Sequence, residues 1–437
     1  MNSGQKLWRE AIKIIPGGNG LLSKRPSRYG ADIWPTYFSK AKGCKIWDLD
    51  GNEYIDMAQS GVGSAILGYS DDDINEAVIQ AIHKGINTTL NAPEEVELAK
   101  KLLEVNPTMG GVKFARGGGE AMSIAVRIAR AYTNKDIVAF SGYHGWTDWY
   151  LAANLSSKSN LDEHLLSGLS PVGLPKGLSG TCIPFKYNDV ENFLKVISNN
   201  PKIGVIVLEG ARYDFPTKDF LKTIDVESKK KGIVVIVDEI TSGWRVSESG
   251  VYRIFDFNPD IAVYGKALGN GFAISAVVGK KNIMSVAEDS FISSTMWTER
   301  VGFVAGLATI NKLLKYNVHK QLIEIGDYIG KNWLSLAKKY NLKLSVTDYK
   351  PLIGFKLGYG KDNDSIISLF IQEMLSRGYL VSSNVYVTFS HTKEIVDRYL
   401  KDVDEVFYIL SKAIESSSVL KKLNTEIRSD AFKIESL

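Results

Sequence analysis

A single lysine among glycines has the setting that best suits covalent chemistry. Lys266 lies in residues 264–271, which read YGKALGNG and directly follow an apolar run that predicts a strand. A solvated loop lysine is the simpler interpretation of a Gly-Lys pair taken alone. A lysine that forms an imine needs a crowded, partly desolvated site that lowers its pKa, and glycines let backbone and ligand approach closely. The stretch therefore indicates a candidate imine-forming amine.

Two carboxylates end another predicted strand. Residues 234–239 read VVIVDE, an apolar run that stops at Asp238 and Glu239. Carboxylates at strand ends also occur in metal and nucleotide sites, so the pair alone leaves a cofactor role and a solvated strand end equally open. Lys266 follows Asp238 by 28 residues, the length of one strand–helix–strand crossover. We therefore expect the amine and the carboxylate to face one crevice at the carboxyl edge of a sheet.

Three glycines precede a predicted helix. Residues 114–120 read FARGGGE, so Gly117, Gly118 and Gly119 lead into helical periodicity that continues to residue 131. Backbone N–H groups freed there suit a phosphate at the positive end of the helix dipole, although a glycine loop is also compatible with a simple turn. No Gly-Lys-Ser/Thr closes the loop and the GxGxxG spacing is absent. Both rival phosphate motifs lose support.

Strands and helices that alternate must position these residues. Runs at 137–140, 203–208, 233–237 and 261–264 predict strands, and 120–131 and 220–231 predict amphipathic helices. This alternation predicts an α/β domain over residues 61–315, with a mostly parallel sheet covered on both faces.

Two further regions flank this domain. Residues 1–60 predict an N-terminal segment with a hairpin at a two-residue Asp50-Gly51 turn, packing with the small domain. Residues 316–437 predict a smaller α+β domain, with a long helix, a strand at 352–357, a helix at 365–377 and a final helix from Lys393. The Ser/Lys-rich tail after Glu415 is expected to end in poorly ordered residues.

Composition narrows the class of function. Lys and Arg number 53 against 49 Asp and Glu, without blocks of one sign, so neither nucleic acid nor a membrane surface is an expected partner. The two cysteines, Cys44 and Cys182, form no CxxC pair, and no His cluster has metal-ligand spacing, so we expect no metal and a reducing compartment. The N-terminus has no secretion-signal pattern, which favours the cytoplasm.

Taken in order, a set of these motifs resembles the class III pyridoxal-phosphate (PLP) dependent aminotransferases. The set comprises residues 116–120, 143–145, 238–239, 265–266 and Thr295. Within the family it is most similar to the glutamate-1-semialdehyde 2,1-aminomutases, and the resemblance runs from residue 15 to residue 392. It implies fold type I of PLP enzymes and a homodimer with shared active sites.

The resemblance also implies roles for single residues. Lys266 would hold PLP as a Schiff base and move the substrate proton, and Asp238 would pair with the pyridine nitrogen. Tyr143 would stack on the ring, Ile240 would pack on its opposite face, and Glu209 would lie near it. Gly117, Gly118 and Gly119 would hold the phosphate, with Thr295 reaching in from the partner subunit. For Ile240 a plain core role is equally compatible, and His144 is interpreted as structural.

Departures from the family pattern concern the reaction. The usual Ser-Gly-Thr phosphate loop has lost two hydroxyls, residues 294–300 read STMWTER, and Ser383 replaces a glutamate of the aminomutase. Arg25 and Arg212 remain as candidate ligands of a substrate carboxylate. These changes favour transfer from an amino donor to a separate keto acid, aldehyde or keto-sugar.

An aminomutase that moves the amino group within glutamate-1-semialdehyde stays open, because residues 146–177 could form the gate that retains its intermediate. Two alternatives have less support. A nucleotide-linked oxidoreductase requires a glycine fingerprint that we do not find, and a non-catalytic PLP-binding protein does not need Lys266.

Overall fold

The computed structural model describes residues 2–429. Its α-helices are α1 (Ser3–Ile14), α2 (Asp72–His83), α3 (Pro93–Val105), α4 (Gly118–Thr133), α5 (Asp148–Leu151), α6 (Ala153–Ser156), α7 (Val190–Asn199), α8 (Lys218–Lys231), α9 (Lys281–Met284), α10 (Arg300–Lys315), α11 (Val318–Lys339), α12 (Asn363–Leu375), α13 (Lys393–Glu415) and α14 (Val419–Lys422).

Its strands are β1 (Phe38–Lys42), β2 (Lys45–Asp48), β3 (Glu53–Met57), β4 (Gly111–Ala115), β5 (Ile137–Ser141), β6 (Cys182–Pro184), β7 (Ile203–Glu209), β8 (Val234–Asp238), β9 (Ile261–Tyr264), β10 (Ser275–Gly279), β11 (Leu344–Val346), β12 (Leu352–Leu357), β13 (Tyr379–Val381) and β14 (Asn384–Tyr386). The chain divides into two compact units, residues 72–319 and residues 1–71 with 320–437. No helix within residues 2–429 is long and apolar enough to cross a membrane.

The unit of residues 72–319 is built on a seven-stranded sheet in the order β4-β10-β9-β8-β7-β5-β6. Strands β6, β5, β7, β8 and β9 run parallel to their neighbours in that series. Every residue of β7, β8 and β9 is buried. Because successive side chains point to opposite faces of a sheet, both faces are covered. The predicted α/β fold with a mostly parallel sheet is confirmed.

Strand β10 is the exception, since it pairs antiparallel with both β9 and β4. The chain between the end of β9 at Tyr264 and the start of β10 at Ser275 contains a short 3-10 helix, Lys266–Gly269. A crossover that returns a strand in the parallel direction takes a dozen or more residues, so this connection is too short for one. The sequence did not predict β10.

The other unit carries two small sheets. One has the order β1-β2-β3-β13, with β13 parallel to β3, and the other has the order β11-β12-β14 and is antiparallel throughout. Helices α12 and α13 lie in the same unit and bury Phe370 and Phe407, whose rings are 6.1 Å apart. The predicted boundaries after residues 60 and 315 stay a prediction.

The N-terminal hairpin forms, but its turn differs from the two-residue turn predicted. Strands β2 and β3 pair antiparallel and are joined by residues 49–52. The Asp48 carboxylate accepts the N–H groups of Asp50 and Asn52, both at 2.9 Å, and this side-chain turn widens the connection. The expected disorder at the C-terminal end falls partly on residues 430–437, outside the described residues.

Candidate active site

Two carboxylates stand side by side at the carboxyl edge of the large sheet. Glu209 is the last residue of β7, Asp238 is the last residue of β8, and the two are register partners. Each is less than a tenth exposed. Both strands are apolar up to their last residue, so the hydrophobic core holds the backbone and brings the acids to the edge where ligands bind in parallel sheets.

Lys266 lies just beyond the end of the neighbouring strand β9. Its backbone is left-handed, with φ at +42°, where the chain leaves the strand for the 3-10 helix. Its Nζ donates a hydrogen bond of 2.9 Å to Thr241 Oγ1. Burial, followed by the charge of Arg212, lowers the pKa of the Lys266 ammonium to about 7. Near neutral pH much of the amine is therefore unprotonated, the form that attacks a carbonyl.

Glu209 forms a buried ion pair with Arg212, three residues further along the chain. Arg212 Nε donates to Glu209 Oε1 at 3.0 Å, and Arg212 Nη2 reaches Thr241 Oγ1 at 3.2 Å. The amide N–H of Tyr143 donates to the other carboxylate oxygen at 3.1 Å. Burial would raise the pKa of Glu209, but Arg212 outweighs it and holds the pKa below its ordinary value. Thr241 links this pair to the Lys266 amine.

Asp238 is held by His144 from the loop that follows β5. His144 Nδ1 lies 2.8 Å from Asp238 Oδ2, and its Nε2 lies 3.1 Å from the carbonyl oxygen of Ser141. The other Asp238 oxygen accepts the Ile240 N–H at 3.0 Å. Both ring nitrogens of His144 therefore face oxygen atoms. These two contacts fix the orientation of the Asp238 carboxylate.

The glycine loop leaves room for a ligand at the start of α4. Glu120 Oε2 accepts the Gly117 N–H at 2.8 Å, so only the glutamate half of a capping box forms, since Gly117 has no side chain. Gly118 and Gly119 begin the helix, where N–H groups have no partner within it. A Cβ on Gly118 would stand 3.0 Å from Ile240 Cδ1. The glycines therefore bring bare backbone against Ile240.

The remaining predicted residues are distributed as follows. Tyr143 is partly buried, its ring meets that of Tyr150 at 5.9 Å, and burial raises the pKa of its phenol. Thr295 opens an exposed 3-10 helix, Thr295–Thr298, whose carbonyls at Met296 and Trp297 accept from the Arg116 guanidinium. Arg25 belongs to the other unit, where its guanidinium lies against Gly17.

Two polar contacts at this site were missed by sequence reasoning. Thr241 accepts a hydrogen bond from Lys266, and His144, which was interpreted only as structural, contacts Asp238. Thr241 lies three residues beyond Asp238, so its position near a strand end was a usable signal. The partner of His144 is 94 residues away in the chain, and no local spacing indicates it.

A cavity of about 590 Å³ adjoins the ion pair within the same unit. Its lining includes Gly142, Glu209, Arg212 and, from the predicted gate, His164. The Gly142 N–H donates to His164 Nδ1 at 3.1 Å, and burial lowers the pKa of that imidazole to about 4. His164 is therefore neutral at physiological pH, with the proton on Nε2.

The family model for aminotransferase class III matches residues 28–384, most of the chain. The chain belongs to the class III aminotransferases. Enzymes of this family depend on PLP, so PLP is the cofactor of this chain. The nucleotide-linked oxidoreductase kept open above is at odds with this assignment.

Named relatives span nearly the full length. The chain is 30% identical over 428 residues to a 3-aminobutyryl-CoA aminotransferase of Cloacimonas acidaminovorans, covering 95% of this chain and 97% of the relative. It is 28% identical over 429 residues to a glutamate-1-semialdehyde 2,1-aminomutase of Thermodesulfovibrio yellowstonii, covering 92% and 98%.

Solved structures share the fold. The FumI protein of Sphingopyxis sp. MTA144, in its PLP internal aldimine form, superposes with a TM-score of 0.85 at 22% identity, covering 95% of this chain and 98% of that one. An omega-transaminase from Sphaerobacter thermophilus gives a TM-score of 0.81 at 23% identity, with 94% and 97% covered.

The residues of this chain fit the cofactor. PLP needs an amine that is neutral near pH 7, a carboxylate for its pyridine nitrogen and donors for its phosphate. Lys266, Asp238 and the bare N–H groups of Gly118 and Gly119 match these three needs at one edge of one sheet. The open backbone at the glycines is a cradle that side chains there would fill.

Proposed function

We propose that this aminotransferase moves an amino group between two separate molecules, from an amino donor to a keto acid, an aldehyde or a keto-sugar. The observation that carries the proposal is the buried Lys266 amine, whose pKa is lowered to about 7, beyond the end of the strand that neighbours the one ending at Asp238. Bound PLP supplies an electron sink that stabilises negative charge on the substrate carbon. The backbone and side chains of the protein do the rest.

Lys266 is assigned two tasks. Its amine would bind the cofactor covalently, and its Nζ would carry the proton that leaves or joins the substrate carbon. Burial and Arg212 keep its pKa near the pH at which both protonation states are populated. Thr241 Oγ1, 2.9 Å from Nζ, holds the amine when it is free.

Asp238 is assigned to the pyridine nitrogen, with His144 as a positioning residue behind it. A carboxylate facing that nitrogen favours its protonated form and so the electron sink. The His144 contact at 2.8 Å fixes the carboxylate before the cofactor arrives, which lowers the ordering needed at binding. We assign Tyr143 and Ile240 to the two faces of the ring.

The phosphate is assigned to residues 117–119, with Thr295 of the partner subunit completing it in a homodimer. Arg116 supports this arrangement, because its guanidinium donates to the carbonyls of Met296 and Trp297 and so holds the segment that carries Thr295. We also place the enzyme in the cytoplasm. Its cysteines, Cys44 and Cys182, are buried free thiols, which suits a reducing compartment.

The substrate tail is assigned to the 590 Å³ cavity beside Glu209 and Arg212. Arg212 is already paired with Glu209, so a substrate carboxylate must displace an internal one to bind it. The intact pair favours substrates whose distal end is uncharged. Arg25, the other carboxylate candidate in the sequence, stays a prediction.

The test is a half-reaction screen on purified protein. The protein should absorb near 410–430 nm, as expected of lysine-bound PLP. A productive amino donor should bleach this band, and a productive acceptor should restore it. Lys266→Ala should lose both the band and turnover, whereas Lys281→Ala, which removes an exposed lysine, should retain them. Turnover that survives Lys266→Ala would overturn the assignment.

The aminomutase remains the second candidate, supported by relatives of that name at 28% identity. It requires that the intermediate be retained until both half-reactions finish, a task for the predicted gate at residues 146–177. If every ordinary donor leaves the band unchanged while glutamate-1-semialdehyde is turned over, the aminomutase is correct and transfer between molecules is wrong.

A further inference from the structure

The phosphate loop has fewer donors than the family pattern provides. Glycine stands at positions 117 and 119, where the pattern has Ser and Thr, so two hydroxyl groups are missing. The Gly117 N–H is taken by Glu120, which leaves the N–H groups at the start of α4. A doubly charged phosphate accepts more hydrogen bonds than these supply. Another donor close to the loop would make up the difference.

The indole of Trp146 lies at the place that a side chain on residue 119 would occupy. A Cβ built on Gly119 would stand 3.2 Å from Trp146 Nε1 and 3.4 Å from its Cδ1, so the N–H edge of the ring faces the loop. The side chain is 72% exposed, so no core packing accounts for its position.

The turn around Trp146 is fitted to the glycine loop. Gly145 has φ at +101°, and a Cβ there would stand 3.4 Å from Gly119 Cα. Thr147 Cγ2 would be 3.5 Å from a Cβ on Gly119. A threonine at position 119 would therefore press on the indole, whereas glycine accepts it. The missing hydroxyl and the tryptophan are sterically matched.

We propose that Trp146 donates a hydrogen bond from Nε1 to the phosphate group of the cofactor, in place of the hydroxyl absent at position 119. The inference rests on the proposed assignment of the phosphate to residues 117–119. It makes Trp146 a cofactor-binding residue rather than part of the gate. The indole N–H is a donor only and suits a fully ionised phosphate oxygen.

The test compares PLP with pyridoxal, which has the same ring and aldehyde but no phosphate. Apoprotein is titrated with each compound, and binding is followed by absorbance. Trp146→Phe keeps the ring and removes the N–H, so the Kd for PLP should rise about tenfold or more while the Kd for pyridoxal stays unchanged. Trp47→Phe, in the other unit, is the control and should change neither value.

A second variant repairs the loss without the indole. Gly117 has φ at −101°, and a Cβ there would meet only Glu120, no closer than 3.6 Å, so Gly117→Ser fits. Adding Gly117→Ser to Trp146→Phe should recover much of the PLP affinity through a serine hydroxyl. Circular dichroism and size-exclusion chromatography verify that each variant folds and assembles as the parent does.

The possible outcomes distinguish the role of Trp146 from the proposed function. An unchanged PLP affinity in Trp146→Phe, or an equal loss for PLP and pyridoxal, overturns the role of Trp146 and leaves the proposed function intact. A parent protein that binds no PLP overturns the proposed function and this inference with it. A loss confined to PLP, and repaired by Gly117→Ser, supports the proposal.

Discussion

The lowered pKa of Lys266 predicts how fast the apoprotein captures PLP at each pH. Only the neutral amine attacks the aldehyde, so the rate should follow the neutral fraction. With a pKa of about 7, that fraction is ~9% at pH 6, ~50% at pH 7 and ~91% at pH 8. The rate should therefore rise about tenfold from pH 6 to pH 8 and then level off. An unperturbed lysine would give about 100-fold over the same range and keep rising beyond pH 10.

Stopped-flow absorbance near 415 nm measures this rate, and a simple alkylamine reacting with PLP across the same pH series corrects for titration of the cofactor. Two variants test the direction in which neighbouring charges shift the midpoint of the pH–rate profile. Arg212→Met removes a positive charge and leaves Glu209 unpaired, so the midpoint should move to higher pH. Glu209→Gln removes a charge that raises the pKa of Lys266, so the midpoint should move to lower pH. A rate that never levels off, or variants that shift the same way, would refute the electrostatic reasoning.

Three further predictions concern single residues. His144→Phe removes both hydrogen bonds of the ring and should lower kcat about tenfold or more with little change in KM, whereas His144→Asn should retain part of kcat. Gly118→Ala brings a Cβ to 3.0 Å from Ile240 and should weaken PLP binding. Adding Ile240→Val should restore the PLP affinity, and a double variant without that recovery would contradict the packing argument. Burial raises the pKa of Glu239 from 4.5 to about 7. The folded protein therefore keeps a proton on Glu239 at pH values where the unfolded chain has released it. The free energy of unfolding should fall by about 3 kcal/mol as pH rises from 4.5 to 7. Thermal melts of apoprotein should show that decline, and Glu239→Gln should abolish it.

The fold was largely predictable because its central strands are recognisable from the sequence pattern. The runs at 137–140, 203–208, 233–237 and 261–264 are short, apolar and separated by helical patterns, and each corresponds to a strand in the structure. Strand β10 escaped prediction because SAVVG is small and weakly hydrophobic, and its direction depends on the length of the preceding link. A local sequence pattern predicts that a strand exists more easily than it predicts which strand it pairs with.

The site was predictable at its strand ends and not beyond them. Asp238 and Lys266 each follow an apolar run, so their arrival at one edge follows from the parallel sheet. The contacts of Thr241 and His144 depend on how loops turn after those strands, which periodicity does not encode. The ion pair of Glu209 with Arg212 lay three residues apart, yet the sequence suggested Arg212 only as a substrate ligand.

The short link between β9 and β10 has a consequence for how this protein can vary in length. Lys266 lies in that link, between the parallel strand β9 and the antiparallel strand β10, and its backbone has a left-handed conformation. Inserting or deleting one residue between positions 264 and 275 would rotate the amine away from the crevice or break the pairing of β10. Natural homologues should therefore gain and lose residues in the loops elsewhere, while this stretch keeps a constant number of residues.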